Sequence, residues 1–340
     1  MAAYAFWNNK GGTGKTSLAF QAITTYANQH PGESVLVLDV CPQANLSELL
    51  LGGLEGKGSV NLQSLHAQKP RRSIGGYFQL RLPNPYSTPK VTVSDFLSKP
   101  SDFNGSVPIN IQLLAGDPLL ELQSNAIATL ANAQIPATNT WLAILDWLRD
   151  FLAATEKPFD KVFIDCNPSF SMYTQIALAT ADFMVVPVMA DDSSKRALQN
   201  AVSLVHGLQL PSPDYAMHSF TQRLTDAGRT IPRLHTIVRN RITQYMGPAT
   251  AYAVVLESIL EDVSALLKSN PEIFTFTDIK DGYVDVRDFQ TTGVVAFAKA
   301  APFYALSSGR HYIEGQEIQV KPEYLDNCKD AINPLVARLA

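Results

Sequence analysis

The chain has 340 residues, enough for a large core in one α/β domain or two smaller ones, and its net charge of −4 supplies no overall positive field for nucleic acid. Three cysteines, Cys41, Cys166 and Cys328, form neither a C-x-x-C pair nor an even disulfide framework, a usage suited to a reducing cytosol. With no apolar run of about 18 residues and no charged segment ahead of the first strand, neither a membrane span nor a signal peptide is expected.

The first apolar run, residues 2–7, ends at Asn8-Asn9-Lys10-Gly11-Gly12-Thr13-Gly14-Lys15-Thr16, with Ser17 next. An apolar-periodic segment, 18–26, follows, so the order is strand, glycine loop, helix. Glycines 11, 12 and 14 leave backbone N–H groups free to curl around an anion, and the helix N-terminus adds its dipole. Lys15 is spaced to reach the outer phosphates of a nucleotide and the Thr16 hydroxyl to bind Mg²⁺. The general phosphate loop opens with glycine five residues before its last glycine. Here that position is Asn9, and a second lysine, Lys10, follows it.

Further short apolar runs at 34–40, 109–114, 161–166, 183–188 and 234–240 read as strands covered on both faces. Between them lie helical periodicities. Trp141, Leu145, Leu148 and Leu152 form one, with Asn139 or Thr140 as its cap; Leu198, Val202, Val205 and Leu208 form another, and Val255, Ile259, Val263 and Leu266 a third. Alternating β and α predicts a doubly wound, mostly parallel sheet with helices on both faces. The chain reads as a single domain, 1–340, with insertions at about 52–108 and 210–232, where Gly, Pro, Ser and polar residues concentrate.

Two strands end in carboxylates. Asp39 closes the second strand in Leu38-Asp39-Val40-Cys41-Pro42-Gln43-Ala44-Asn45, and Asp165 closes another in Ile164-Asp165-Cys166-Asn167-Pro168-Ser169. Alone, a strand-end aspartate is as often a helix cap. Beside a phosphate loop it is placed for a metal. Asn240, in Val238-Arg239-Asn240-Arg241, carries the donor and the acceptor that an adenine edge requires. Arg241 is placed to stack on the base or to pair on the ribose side.

The loop Lys10-Gly11-Gly12-Thr13-Gly14-Lys15-Thr16 resembles the deviant Walker A motif of the ParA/MinD family of P-loop ATPases. The stretch at Asp39 resembles that family's switch I, usually Asp-x-Asp-Pro-Gln-x-Asn, and matches at Asp39, Pro42, Gln43 and Asn45. Cys41 replaces the second aspartate, which in the family helps to position the attacking water. The resemblance therefore supports nucleotide binding more firmly than rapid hydrolysis. The stretch at Asp165 resembles the family's Walker B segment, implying that Asp165 holds Mg²⁺ through a water, alongside Thr16 and with Asp39 supporting the metal site from behind. It further implies an asparagine that reads adenine, here Asn240, and a late proline near the base, here Pro302.

The resemblance implies an ATPase that binds ATP or ADP with Mg²⁺ and forms an ATP-dependent homodimer. In that dimer Lys15 serves its own nucleotide and Lys10 reaches across to the partner's phosphates. Among the family's branches, the cluster cysteines of the iron proteins, the C-x-x-C of metal-cluster carriers and a C-terminal tyrosine cluster are not matched. The tail, 323–340, is amphipathic but not basic and is interrupted by Pro334, so it reads as a packed terminal helix rather than a membrane anchor. That leaves the ParA-type partition ATPases, in a form without an N-terminal helix-turn-helix. They imply non-specific DNA binding in the cytoplasm at the nucleoid, and an adaptor of ParB type that stimulates turnover. Candidate DNA contacts are the basic groups Lys69, Arg71, Arg72 and Arg81, Lys195 and Arg196, and Arg239 and Arg241. The alternatives are a nucleotide-locked binding protein with little hydrolysis and a MinD-like membrane-positioning ATPase.

Overall fold

A computed structural model describes residues 1–189, 191–242 and 251–340. Seven parallel strands form one sheet: β1 (Ala2–Phe6), β2 (Val35–Val40), β3 (Ile111–Leu114), β4 (Lys161–Cys166), β5 (Phe183–Val188), β6 (Arg233–Ile242) and β7 (Tyr283–Arg287). Their spatial order is β3-β2-β4-β1-β5-β6-β7. A separate antiparallel hairpin joins β8 (Gly309–Ile313) to β9 (Gln316–Val320).

The central strands are apolar on both sides because each side is covered. Ala3, Ala5 and Trp7 point into one core with Leu36, Leu38 and Val40; Tyr4 and Phe6 point into the other with Val35 and Val37. The first core is closed by helices that include Trp147–Ala153, Met172–Thr180, Asp192–His206 and Ala251–Ser269. The second is closed by Lys15–Gln29 and by Pro322–Leu339, which pack on each other. A small third cluster lies under the hairpin.

In this order the carboxyl ends of β1, β2 and β4 are adjacent. Phe6 and Asp39 both sit in register with Asp165. The glycine loop and the two strand-end carboxylates, far apart in sequence, thus meet at one edge of the sheet, as doubly wound folds arrange their ligand crevices.

Some expected elements come out differently. The periodicity from Trp141 to Leu152 is cut at Asp146 into the helices Thr140–Leu145 and Trp147–Ala153. The Asp146 carboxylate is held by Arg229 at 2.5 Å, while Asn139 caps the first helix through Leu142 N. Pro334 does not interrupt the terminal helix. It lies on the solvent side, where water can serve the carbonyl left without a partner, while Ile332, Leu335, Val336 and Leu339 remain buried. β7 and the β8–β9 hairpin had no distinct apolar signal, since both alternate with charged residues. The stretch 52–108 contains the helices Gly58–His66 and Ile74–Arg81, and the second drives Ile74, Tyr77 and Phe78 fully into the main core. Residues 210–232 hold two short helices before β6. Among the described residues no helix is long and apolar enough to cross a membrane.

Candidate nucleotide site

The loop leaving β1 is braced before it turns. Asn8 is buried, donates to Pro187 O at 2.5 Å and accepts from Lys10 N at 3.1 Å. Gly12 and Gly14 take left-handed φ of 75° and 74°, a region open to glycine without a steric penalty. A Cβ on Gly14 would lie 2.6 Å from Asn240 Nδ2, whereas at Gly11 and Gly12 it would meet nothing within 4 Å. The first two glycines therefore line open space, and the third permits a close crossing with β6.

Beneath the loop, Lys15 is 7% exposed, and its Nζ lies 2.5 Å from Asp165 Oδ1. Thr16 Oγ1 donates to Asp165 Oδ2 at 3.1 Å. Burial pushes the Lys15 pKa down, but the Asp165 carboxylate outweighs it and the lysine titrates above its ordinary value. Asp39 lies fully buried on the next strand. Its Oδ2 accepts from Ser47 N at 2.9 Å and Ser47 Oγ at 2.7 Å, and its Oδ1 accepts from Cys41 N at 3.2 Å. Burial, then repulsion from Asp165, pushes its pKa up to about 7 against the Ser47 bonds. Cys41 lines the cavity that lies above these residues. Burial, Asp39 and Asp165 push its thiol up to about 12, so it is a neutral group at pH 7.

The cavity above these residues measures about 520 Å³ and is lined by the whole of Lys10 to Ser17, with Gln43, Asn45 and Arg241. A second cavity of about 790 Å³ adjoins it. Gly14, Ser17, Asn45, Arg241 and Phe297 line both. The pair has the extent of a phosphate subsite opening into a larger chamber on the Asn240 side. Among the described residues, buried Thr13 Oγ1 finds no hydrogen-bond partner. With open space at Gly11 and Gly12 and a buried lysine below, this donor set suits a phosphate chain. Among the described residues no group of three or more His, Cys, Asp or Glu could hold a metal. A divalent cation here would rest on Thr16 and Asp165 with water and phosphate oxygens, the coordination Mg²⁺ favours.

Several residues lie elsewhere than the sequence suggests. Asn240 is committed within the protein: Nδ2 donates to Thr13 O at 2.8 Å, and Oδ1 accepts from Arg241 N at 3.0 Å. It braces the loop, and among the described residues its Nδ2 has Thr13 O as its acceptor. Pro302 is buried and lines neither cavity, because Gln21 holds its neighbours Ala301 and Phe303 against the side of the Lys15–Gln29 helix. Asp288 and Gln290 line the chamber instead. Lys10 folds back within its own chain, with Nζ 2.5 Å from Asp191 Oδ2 and 3.3 Å from Ser194 Oγ. Most of the basic groups are structural. Arg71 forks onto Asp117 at 2.5 and 2.8 Å, and Arg72 donates to Ser94 O and Asp95 O. Arg81 is buried against Asp150 and Trp147. Lys195 pairs with Asp262 at 3.3 Å, and Arg239 pairs with Asp285. The bracing roles of Asn8, Ser47 and Asp191 carry no spacing signal, because their partners Pro187, Asp39 and Lys10 are brought near only by the fold.

Among known proteins, the AAA_31 family model, described as an AAA domain, matches residues 1–212. The chain is 24% identical over 188 residues to the uncharacterized protein MJECL24 of Methanocaldococcus jannaschii; the match covers 55% of this chain and 58% of that relative's length. Among solved structures, apo McdA of Cyanothece is similar with a TM-score of 0.62 at 14% identity, covering 100% of both chains. A single-residue variant of Cyanothece McdA in complex with ATP gives 0.60 at 14%, covering 98% of this chain and 96% of that one. A putative plasmid partition protein of Borrelia burgdorferi bound to AMPPNP gives 0.53 at 13%, covering 99% and 98%. At these identities the solved structures share the fold.

Proposed function

Because the chain belongs to the ParA/MinD family of P-loop ATPases, we propose that it is a Mg-ATP-dependent dimerising switch that binds DNA without sequence preference and positions DNA or another cargo. The observation that carries this reading is the Lys15–Asp165–Thr16 cluster under a glycine loop whose Thr13 hydroxyl finds no partner among the described residues. Lys15 leaves Asp165 for the outer phosphates of ATP. Thr16 and Asp165 are then free to hold the cation, which supplies charge neutralisation across the phosphates. Asp39, tied to Ser47 and the Cys41 backbone, supports that site from behind. Arg241 covers the nucleoside side, and Asn240 keeps the loop in shape.

ATP would draw two copies together over their phosphate sites, with Lys10 turned outward to the partner's nucleotide. Hydrolysis, stimulated by an adaptor of ParB type, would part them. One solved structure of the same fold is described as a putative plasmid partition protein, in keeping with the partition reading, of which a place at the nucleoid is part. Since most candidate arginines are consumed in structural pairs, a single copy offers little for DNA. A two-fold dimer doubles whatever basic surface remains, and its avidity can exceed single-site affinity greatly. The test is DNA binding by anisotropy on unrelated duplexes with ATP, ADP or no nucleotide. Binding only with ATP, equal across sequences and falling steeply with salt, is expected. Sequence-specific binding, or none at low salt with ATP, would exclude the partition reading.

A second reading, a nucleotide-locked binding protein with little turnover, is favoured by the neutral thiol at Cys41. A membrane-positioning role is disfavoured, because the terminal helix buries its apolar face against the Lys15–Gln29 helix.

A further inference from the structure

A cavity of about 600 Å³ lies at the amino edge of the sheet, opposite the phosphate site. β1, β5 and β6 begin there, and their first residues, Ala2, Phe183 and Arg233, line it. β1 runs from this cavity to the glycine loop, so the length of a strand separates the two sites. The volume falls within the usual range of small-molecule sites, and the nucleotide chemistry makes no use of it.

The wall carries both signs of charge, and they do not cancel within the protein. Arg229 and Arg233 line it together with Asp182 and Glu272, yet neither arginine forms an ion pair with either acid. Arg229 turns one terminal nitrogen to Asp146, while its Nε is buried and finds no hydrogen-bond partner among the described residues. The Arg233 guanidinium lies 5.8 Å from the centre of the Phe183 ring. Asp182 is fixed by the sheet: its Oδ2 accepts from Ala3 N at 2.9 Å, and its carbonyl oxygen accepts from Arg233 N at 3.0 Å. Among the described residues Glu272 has Asn270 Nδ2 as its side-chain partner, at 3.5 Å. Opposite charges held apart on one concave wall attract a ligand that completes both, and the low-dielectric walls focus that attraction.

The rest of the lining is apolar or neutral. Phe183, Ile231 and Ile273 supply apolar surface. His206 closes the helix Asp192–His206 and is 7% exposed, and its Nε2 finds no partner among the described residues. Burial lowers its pKa to about 4, so the ring is neutral at pH 7 and can donate or accept. A simple anion would be repelled by the two acids, and a simple cation by the two arginines. We propose that this cavity binds a free α-amino acid with an apolar side chain. Its carboxylate rests on Arg229 and Arg233, its ammonium on Asp182 and Glu272, and its side chain against Phe183 and Ile231.

Saturation-transfer NMR on the full chain compares L-phenylalanine with 3-phenylpropionate, which lacks the ammonium, and with phenethylamine, which lacks the carboxylate. L-Phenylalanine should bind at least ~10-fold tighter than either, since each missing head gives up charged hydrogen bonds. Arg233→Gln should weaken L-phenylalanine and 3-phenylpropionate at least ~10-fold and leave phenethylamine unchanged. Glu272→Gln should weaken L-phenylalanine and phenethylamine and leave 3-phenylpropionate unchanged. Both positions are exposed, so the core is undisturbed; Thr230→Trp, also exposed on the cavity wall, should exclude all three ligands by filling the space. Saturating Mg-ADP should displace none of them, because the nucleotide site lies at the other edge. No binding of L-phenylalanine, an analogue that binds as tightly, losses in the variants that do not follow charge, or displacement by Mg-ADP overturns the proposal.

Discussion

Lys10 Nζ lies 2.5 Å from Asp191 Oδ2, so the first lysine of the glycine loop is tied to the residue that N-caps the helix Asp192–His206. Burial pushes the Asp191 carboxyl up, but hydrogen bonds from Lys10, Ser193 and Ser194 hold it well below the usual carboxylate range. A lysine that must serve a partner's nucleotide is thus restrained within its own chain. Asp191→Asn removes the charge yet keeps an acceptor for Ser194 N, so the cap survives. Because the pair is partly exposed, its release is worth at most about 1 kcal/mol. Both copies of a two-fold dimer release their Lys10, so dimerisation with Mg-ATPγS, followed by light scattering across concentration, should tighten up to about 30-fold. Weaker dimerisation would mean that Asp191 orients Lys10 rather than restrains it.

The phosphate site makes a sharper prediction. Lys15→Ala would leave Asp165 buried without its counter-charge, so a binding loss there is mixed with a folding penalty. Thr16→Ala avoids this, because Asp165 keeps Lys15. Calorimetry with Mg-ATP should show Thr16→Ala weaker by roughly 1–3 kcal/mol, the range for losing a hydrogen bond to a charged partner. Binding measured without Mg²⁺ should change less. Equal affinity in wild type and variant with Mg²⁺ present would remove Thr16 from the site.

How much of this was readable in the chain depends on how local each signal is. The glycine loop and the strand-end carboxylates are legible because spacing alone fixes them: loop, lysine and hydroxyl are contiguous, and a carboxylate closing an apolar strand falls on the ligand edge. The parallel sheet is legible because its strands are apolar on both faces. The break at Asp146 is not, because the apolar periodicity runs on through it, and the ion pair that Asp146 makes with Arg229 joins residues far apart in sequence. The basic cluster at Lys69 to Arg81 misleads for the same reason, since the partners that consume it, Asp117 and Asp150, lie far along the sequence. Asn240 shows both sides. Its position beside the loop follows from the strand order, but its use as a brace depends on Thr13 O, which only the fold brings near.

A buried histidine distant from this chemistry sets an acid limit on stability. His206 is 7% exposed, its Nε2 finds no partner among the described residues, and burial lowers its pKa to about 4. The unfolded chain therefore takes up this proton near the ordinary value of about 6.5, while the folded chain resists until about pH 4. Between those values the unfolded state binds more protons, so stability falls as pH falls. The loss from this group is on the order of 3 kcal/mol, complete once the pH is well below about 4. Urea denaturation at pH 7, 5.5 and 4.5 should show that decline, and His206→Gln should flatten it. An identical slope in the variant would assign the acid sensitivity to other groups.

Cys41 decides how fast the switch resets. Its thiol lines the phosphate cavity, and its backbone N–H is bonded to Asp39. Hydrolysis needs a water held in line with the terminal phosphate, and a carboxylate accepts from that water far better than a neutral thiol does. Groups that position water or take its proton are typically worth ~10²–10⁴ in rate. Basal turnover should accordingly be slow, and Cys41→Asp should raise it by about 10²-fold with ATP affinity nearly unchanged. The new carboxylate would join Asp39 and Asp165 around one buried lysine, so the variant should also melt lower than wild type without nucleotide and recover with Mg-ATP. Single-turnover kinetics and thermal unfolding with and without Mg-ATP read the two effects separately. Brisk turnover in the wild type, slowed by Cys41→Asp, would show that another residue holds the water and that Cys41 does not occupy the aspartate's place.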